Sequence, residues 1–272
     1  MPSNPRASVA SVSILLTALM LAGCAAAATP DVIETSAPSF ITDDRIADDA
    51  LAILGVYEVD GTDVVAEIDP AYEAVWTRFT ELVDVTQWPQ ITLFVALDRD
   101  ASPGGTEGAV GPLATDPSLY YVALDVTGVE PAAELDSTMI HEFGHLVTLN
   151  PGQIPLDIGG ADTCEVITYN DRCPPEGSYL RAWLDEFWPG YVDSEADSEG
   201  DTAAADRFAT GDFVTEYAAK NPLEDVAETF DAWVREKSEP AGSGVVDDKL
   251  RFFDSYPEIV ELKQHAQAAL AG

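Results

Sequence analysis

Histidine and cysteine are both scarce here, three of each in 272 residues, and positive charge is outnumbered: 13 Lys and Arg stand against 49 Asp and Glu, a formal net charge of -36. That balance excludes partners held through phosphate, because the long-range field repels nucleic acid and anionic lipid headgroups alike. Three cysteines cannot build a four-thiolate zinc site. No internal repeat is present, and the longest apolar run, inside residues 1–23, falls short of a membrane span. His-rich loops, the mark of a metal scavenger, are missing as well. What remains is 46% hydrophobic, enough to bury a full core and to make one domain or two closely joined lobes.

The segment MPSNPRASVASVSILLTALMLAGC carries one Arg, an apolar stretch and a run of small residues, and reads as a signal peptide over 1–23. Its end, Leu21-Ala22-Gly23-Cys24, resembles the bacterial lipobox, which implies lipid on Cys24 and an extracytoplasmic protein tied to a bacterial membrane only through that anchor. No Arg-Arg pair precedes it, so general secretory export is expected. Residues 24–44 are small, polar and Pro-containing and read as a tether. In an oxidising compartment Cys164 and Cys173 are expected to form a disulfide, worth about 2 to 3 kcal/mol through the loop that it closes.

The pattern predicts an α+β fold: a small mixed-sheet lobe over 45–150 and a mainly helical lobe over 151–272. Helical spacing over 71–85 and β-branched and aromatic runs at 90–97 and 119–126 define the first lobe, with a long Gly/Pro loop between the two strands. Helices are expected at 178–188, 222–236, 247–253 and 257–271. Between the lobes lies PAAELDSTMIHEFGHLVTL, from Pro131 to the stop at Asn150-Pro151.

Two of the three histidines sit in that junction helix. His141 and His145 are one turn apart and share a face, so one metal ion can take both imidazoles. Glu142 is rotated too far to join them as a ligand, but it can reach a water activated at the ion, as a general base does. The alternative is an apolar helix with satisfied histidines, which makes His-Glu an expensive insertion among Met139, Ile140, Phe143, Leu146 and Val147. Zinc suits neutral imidazoles, and a catalytic zinc needs a third protein ligand. The H-E-x-x-H-x-x-G-x-x-H extension is broken by Thr148 and Pro151, and His265 reads as a solvated helix residue. A carboxylate is left.

In NPLEDVAETF, Glu224 and Glu228 are four apart on a helix, one placed to bind the ion and the other to accept from the far nitrogen of a ligating histidine. Glu224 also fits N3 of a helix capped by Asn221 with Pro222 at N1, where a capping box would occupy it. Glu228 also fits a solvated helix face. Asp162, after a glycine pair, competes as third ligand, and Asp185 or Glu186 are further options. The acidic run 193–201 lacks the glycine and closing glutamate of an EF-hand loop and reads as solvated.

With E-D-V-A-E following H-E-F-G-H, the chain resembles the gluzincin metallopeptidases, and within them the anthrax lethal factor-like peptidases and zinc-binding bacterial lipoproteins. The resemblance covers about thirty residues. It implies a zincin-like fold with the active-site helix at the junction of the lobes, His141, His145 and Glu224 on Zn2+, and Glu228 behind a histidine. It also implies that Tyr217, seven residues before Glu224, steadies the oxyanion or protonates the leaving amine; packing beside the site is the alternative for that ring. The implied activity is zinc-dependent hydrolysis of peptide bonds by a monomer acting on peptide or protein, with LYYVALDV as the strand along the cleft. No G-x-M-E-N-like segment is present to grip a substrate amino terminus, so endopeptidase is preferred. The rival is a catalytically silent surface lipoprotein of the same fold that binds or assembles.

Overall fold

The computed structural model describes residues 40–47, 51–128, 132–158, 164–189, 203–236 and 240–272. The signal peptide, Cys24, most of the expected tether, Asp162 and the acidic run 193–201 lie outside the described residues. The tether's expected last residues already pair: Ile41 bridges Ile53 in antiparallel fashion.

Mixed α and β structure is what the chain forms. Five strands, β1 (Ile53–Asp60), β2 (Asp63–Val64), β3 (Ile91–Leu97), β4 (Gly108–Pro112) and β5 (Tyr120–Asp125), make one sheet in the order β2-β1-β3-β5-β4. Among the described strands, only β3 and β5 run parallel. Both are apolar except for Thr92 and Asp125 because both sheet faces are covered, and their side chains alternate between two cores. Phe94, Ala96, Tyr120, Val122 and Leu124 meet the helices, while Leu93, Val95, Leu97, Tyr121 and Ala123 pack with Ile46, Leu51 and Leu113 behind the sheet.

The helices described are α1 (Pro70–Leu82), α2 (Ala132–Leu149), α3 (Tyr179–Phe187), α4 (described over 203–208), α5 (Pro222–Arg235), α6 (Val245–Phe252) and α7 (Pro257–Leu270). Apart from α4, which has no counterpart among the expected helices, they follow the predicted positions to within a few residues. The histidine helix α2 lies between layers: Met139, Ile140, Phe143, Leu146 and Val147 are all buried in the helix-side core, and it packs on β4, β5, α1, α3 and α5. Burial of each such large side chain is worth about 1.5 to 3 kcal/mol, which fixes the rotation of the helix and hence the face on which the histidines emerge.

Two expectations need correction. The strand LYYVALDV does not border a cleft: it is β5, flanked by β3 and β4 and buried at every position. The bordering strand is β4, inside the stretch whose Gly and Pro content predicts a loop. An edge strand needs a ladder on one side only, so Gly108, Gly111 and a terminal Pro112 are tolerated there, whereas they would spoil a central strand. β1 and β2 also went unpredicted, although ILGVYEVD has the β-branched and aromatic content of a strand.

The loop after α2 is stapled as expected by the Cys164–Cys173 disulfide, nine residues apart in sequence with Cα atoms at 5.5 Å. Within it Tyr169 and Arg172 form a bridge, and Arg172 Nη1 donates to the Ile154 carbonyl, so the staple backs the end of the histidine helix.

Candidate metal centre

Helices α2 and α5 meet side by side, and the three candidate ligands that converge, His141, His145 and Glu224, come from that contact. Gly144 makes it possible: a Cβ there would lie 3.2 Å from the Ala227 Cα and from Phe230, closer than carbon atoms comfortably pack. A larger residue would hold α5 away and leave Glu224 short of the imidazoles.

The start of α5 is built as its sequence predicts. Asn221 caps it, its Oδ1 accepting from the Leu223 and Glu224 amides at 2.9 and 3.0 Å, and Pro222 opens the first turn. Such a cap is worth about 1 kcal/mol. The Glu224 carboxylate points to α2: its Oε2 lies 3.2 Å from His141 Nε2 and 3.4 Å from His145 Nε2. One ligand atom from each of these three residues falls within 4.8 Å of the others, a group that could hold a metal ion. His265 stands far off, with Nε2 3.1 Å from the Glu81 carbonyl, and Asp185 pairs with Arg181.

Behind the group, Glu228 Oε1 lies 2.8 Å from His141 Nδ1, close enough for an ion pair though off the line of a ring N–H bond. Its other oxygen accepts the Thr215 hydroxyl at 2.6 Å, and Thr215 Oγ1 in turn accepts the Ala218 amide. Thr215 therefore couples the ligand helix to the turn bearing Tyr217. Nothing in the local sequence marked it. A further link that the sequence did not reveal is Ser137, one turn before His141, which donates to Asp231 Oδ2 at 2.7 Å.

Glu142 is buried, 6% exposed, on the β4 side of α2. Gly108 leaves room for it; a Cβ at 108 would come within 2.9 Å of Glu142 Cγ and 2.8 Å of Thr138 Cγ2. Burial pushes the Glu142 carboxyl up, against the lowering influence of both imidazoles and of the Val110 amide. Burial acts the same way on Glu224, but there the His145 and His141 rings prevail and hold the carboxyl low. For His141, burial opposes protonation and is outweighed by the Glu224 and Glu228 carboxylates, which raise it. Three carboxylates around two imidazoles make this a site for positive charge.

Glu224 Oε2 and His145 Nδ1 are buried and have no hydrogen-bond partner among the described residues. An unpartnered carboxylate oxygen aimed between two imidazole nitrogens is what a cation would satisfy. In front lies a cavity of about 580 Å³ lined by His141, Glu142, Glu228, Gly108, Glu107, Glu134, Lys220 and Tyr217. The Tyr217 ring sits 6.0 Å from that of His141 and 4.5 Å beneath the Lys220 ammonium, and is 45% exposed. Burial of its hydroxyl, with the charges of Glu224, Glu142 and Glu228, raises the phenol well above its ordinary value, so it remains a hydrogen-bond donor at neutral pH.

No family model, curated protein or solved structure matches the chain, and the site is read from its own geometry.

Proposed function

We propose that the chain is a zinc-dependent peptidase of zincin-like fold, exported and lipid-anchored at Cys24, that hydrolyses peptide bonds within proteins or peptides. The observation that carries this reading is the convergence of Glu224 Oε2 on both Nε2 atoms at 3.2 and 3.4 Å, with Glu142 next to them in an open cavity. Two imidazoles and a carboxylate are a zinc donor set. Zinc bonds of about 2.0 to 2.1 Å imply tetrahedral edges of about 3.3 Å, which the two distances match.

Bound there, zinc would supply Lewis acidity, polarising an amide carbonyl and bringing the pKa of water near neutrality. The residues do the rest. Glu142, its affinity for a proton increased by burial, takes the proton of the attacking water and hands it to the leaving nitrogen. Tyr217, protonated at the cavity wall, donates to the developing oxyanion. Glu228 holds His141 in one orientation. The outer edge of β4 has no strand neighbour among the described residues, and an extended peptide can add there as a further strand, passing Gly108 beside Glu142.

A binding module that had lost its chemistry would have no use for a buried carboxylate next to the histidines, so Glu142 favours the enzyme. Substituting Glu142→Gln tests this: the variant should retain one zinc per chain and lose all detectable cleavage of an unstructured protein. Undiminished cleavage would refute the mechanism.

A further inference from the structure

Directly after Glu224, Asp225 is buried completely, at 0% exposure, on the other side of α5. Its Oδ2 accepts the indole N–H of Trp183 at 3.2 Å and of Trp188 at 2.8 Å. The remaining partner is Lys249 of α6, only 1% exposed, whose Nζ lies 3.1 Å from Oδ1 and 2.9 Å from Oδ2. The same ammonium donates to the Asp212 carbonyl at 2.8 Å and sits 3.8 Å over the Phe213 ring.

One cation thus holds both ends of the stretch 212–225. Along it come Thr215, which donates to Glu228; Tyr217 and Lys220, which line the cavity; Asn221, which caps α5; and Glu224, which meets the histidines. Stability alone does not call for such a device, because a buried ion pair stabilises no better than apolar residues of similar volume. It adds direction. An Asp225 carboxylate tied to two indoles and an ammonium permits one rotation of α5, and Glu224, about 100° round the helix, is then turned toward α2.

We propose that Lys249 is a positioning residue for the metal centre: by joining the Asp212 carbonyl to the Asp225 carboxylate, it clamps the stretch that carries Tyr217 and Glu224 in register with His141 and His145. The inference rests on the reading of the site as a zinc centre.

The test is the neutral pair Lys249→Met with Asp225→Asn, which keeps an acceptor for the indoles and leaves no unpaired charge. Zinc affinity is read by chelator competition, cleavage by kcat and KM, and folding by thermal unfolding. The clamp predicts a cooperatively folded variant with zinc affinity lowered about 10- to 100-fold and kcat lowered with it. A folded variant with zinc affinity and kcat within twofold of wild type would overturn it. Wild-type protein supplies a second reading that needs no variant. In the zinc-free chain the hydrogen-bonded amides of Ala218, Ala219 and Lys220 should already be protected from exchange with solvent; free exchange there, with protection gained only on adding zinc, would make the metal and not Lys249 the organiser. Failure of wild type to take up zinc would strike the site reading, whereas zinc uptake with an unaltered neutral pair would strike this one.

Discussion

Glu228 stands 2.8 Å from Nδ1 of His141, on the opposite side of the imidazole from Glu224, so that one ring is held between two carboxylates from the same helix. The ring is thereby oriented and made a stronger electron donor. Glu228→Gln keeps the shape and removes the charge. It should weaken zinc binding about 10- to 100-fold, by chelator competition, with little change in unfolding temperature. Zinc affinity equal to wild type would assign Glu228 to the cavity wall alone.

Gly108 should separate metal binding from chemistry. The methyl of Gly108→Ala meets the Thr138 and Glu142 side chains and not the ligands, and no positive φ is involved, so those two side chains and not the backbone must give way. Zinc content is expected to stay at wild type while kcat falls roughly 10- to 100-fold through displacement of the base. An unchanged kcat would show that Glu142 has freedom to move aside.

Asp231 gives a pH signature, read on the zinc-free chain because Glu228 and His141 also act on its carboxyl. Burial raises its carboxyl from the ordinary 3.8 to about 6, against the Ser137 hydrogen bond and the Arg235 charge. A carboxyl that holds its proton more tightly when folded contributes stability that is complete below pH 3.8 and lost as the pH rises through about 6. The stake is at most roughly 3 kcal/mol, from about 1.4 kcal/mol per pH unit. Asp231→Asn should therefore unfold at the same temperature as wild type near pH 3.5 and at a higher one near pH 7.5. Parallel melting curves across that window would contradict the assignment.

Loss of the staple should be felt as stability. Replacing Cys164 and Cys173 together by serine is expected to cost about 2 to 3 kcal/mol in denaturant unfolding while leaving zinc stoichiometry intact. Zinc loss in a folded double variant would mean that the loop behind α2 also orients the histidines.

How much of this was legible in the sequence varies with how local the cause is. His141, Glu142 and His145 follow from helical periodicity, and Glu224 and Glu228 from the same rule on a second helix. The Asn221-Pro222 start of α5 is likewise written in adjacent residues. β4 was not, because Gly108, Gly111 and Pro112 have the composition of a turn and become a strand only through pairing with β5. The mistaken assignment of the cleft to LYYVALDV follows from that omission: chain order cannot say which strand ends up at the edge. Thr215 and Lys249 act on residues 13 and 24 positions away in sequence, through contacts that only the folded chain creates. Gly144 and Gly108 are visible as glycines, but their reason, helix against helix and strand against base, is tertiary.

The most direct measurement is X-ray anomalous scattering at the zinc edge from crystals of the purified protein. One peak is expected, about 2.0 to 2.1 Å from Nε2 of His141, Nε2 of His145 and an oxygen of Glu224. No peak between those atoms, or a peak whose third ligand is another carboxylate such as Asp162 with Glu224 turned away, would contradict the assignment of the zinc centre.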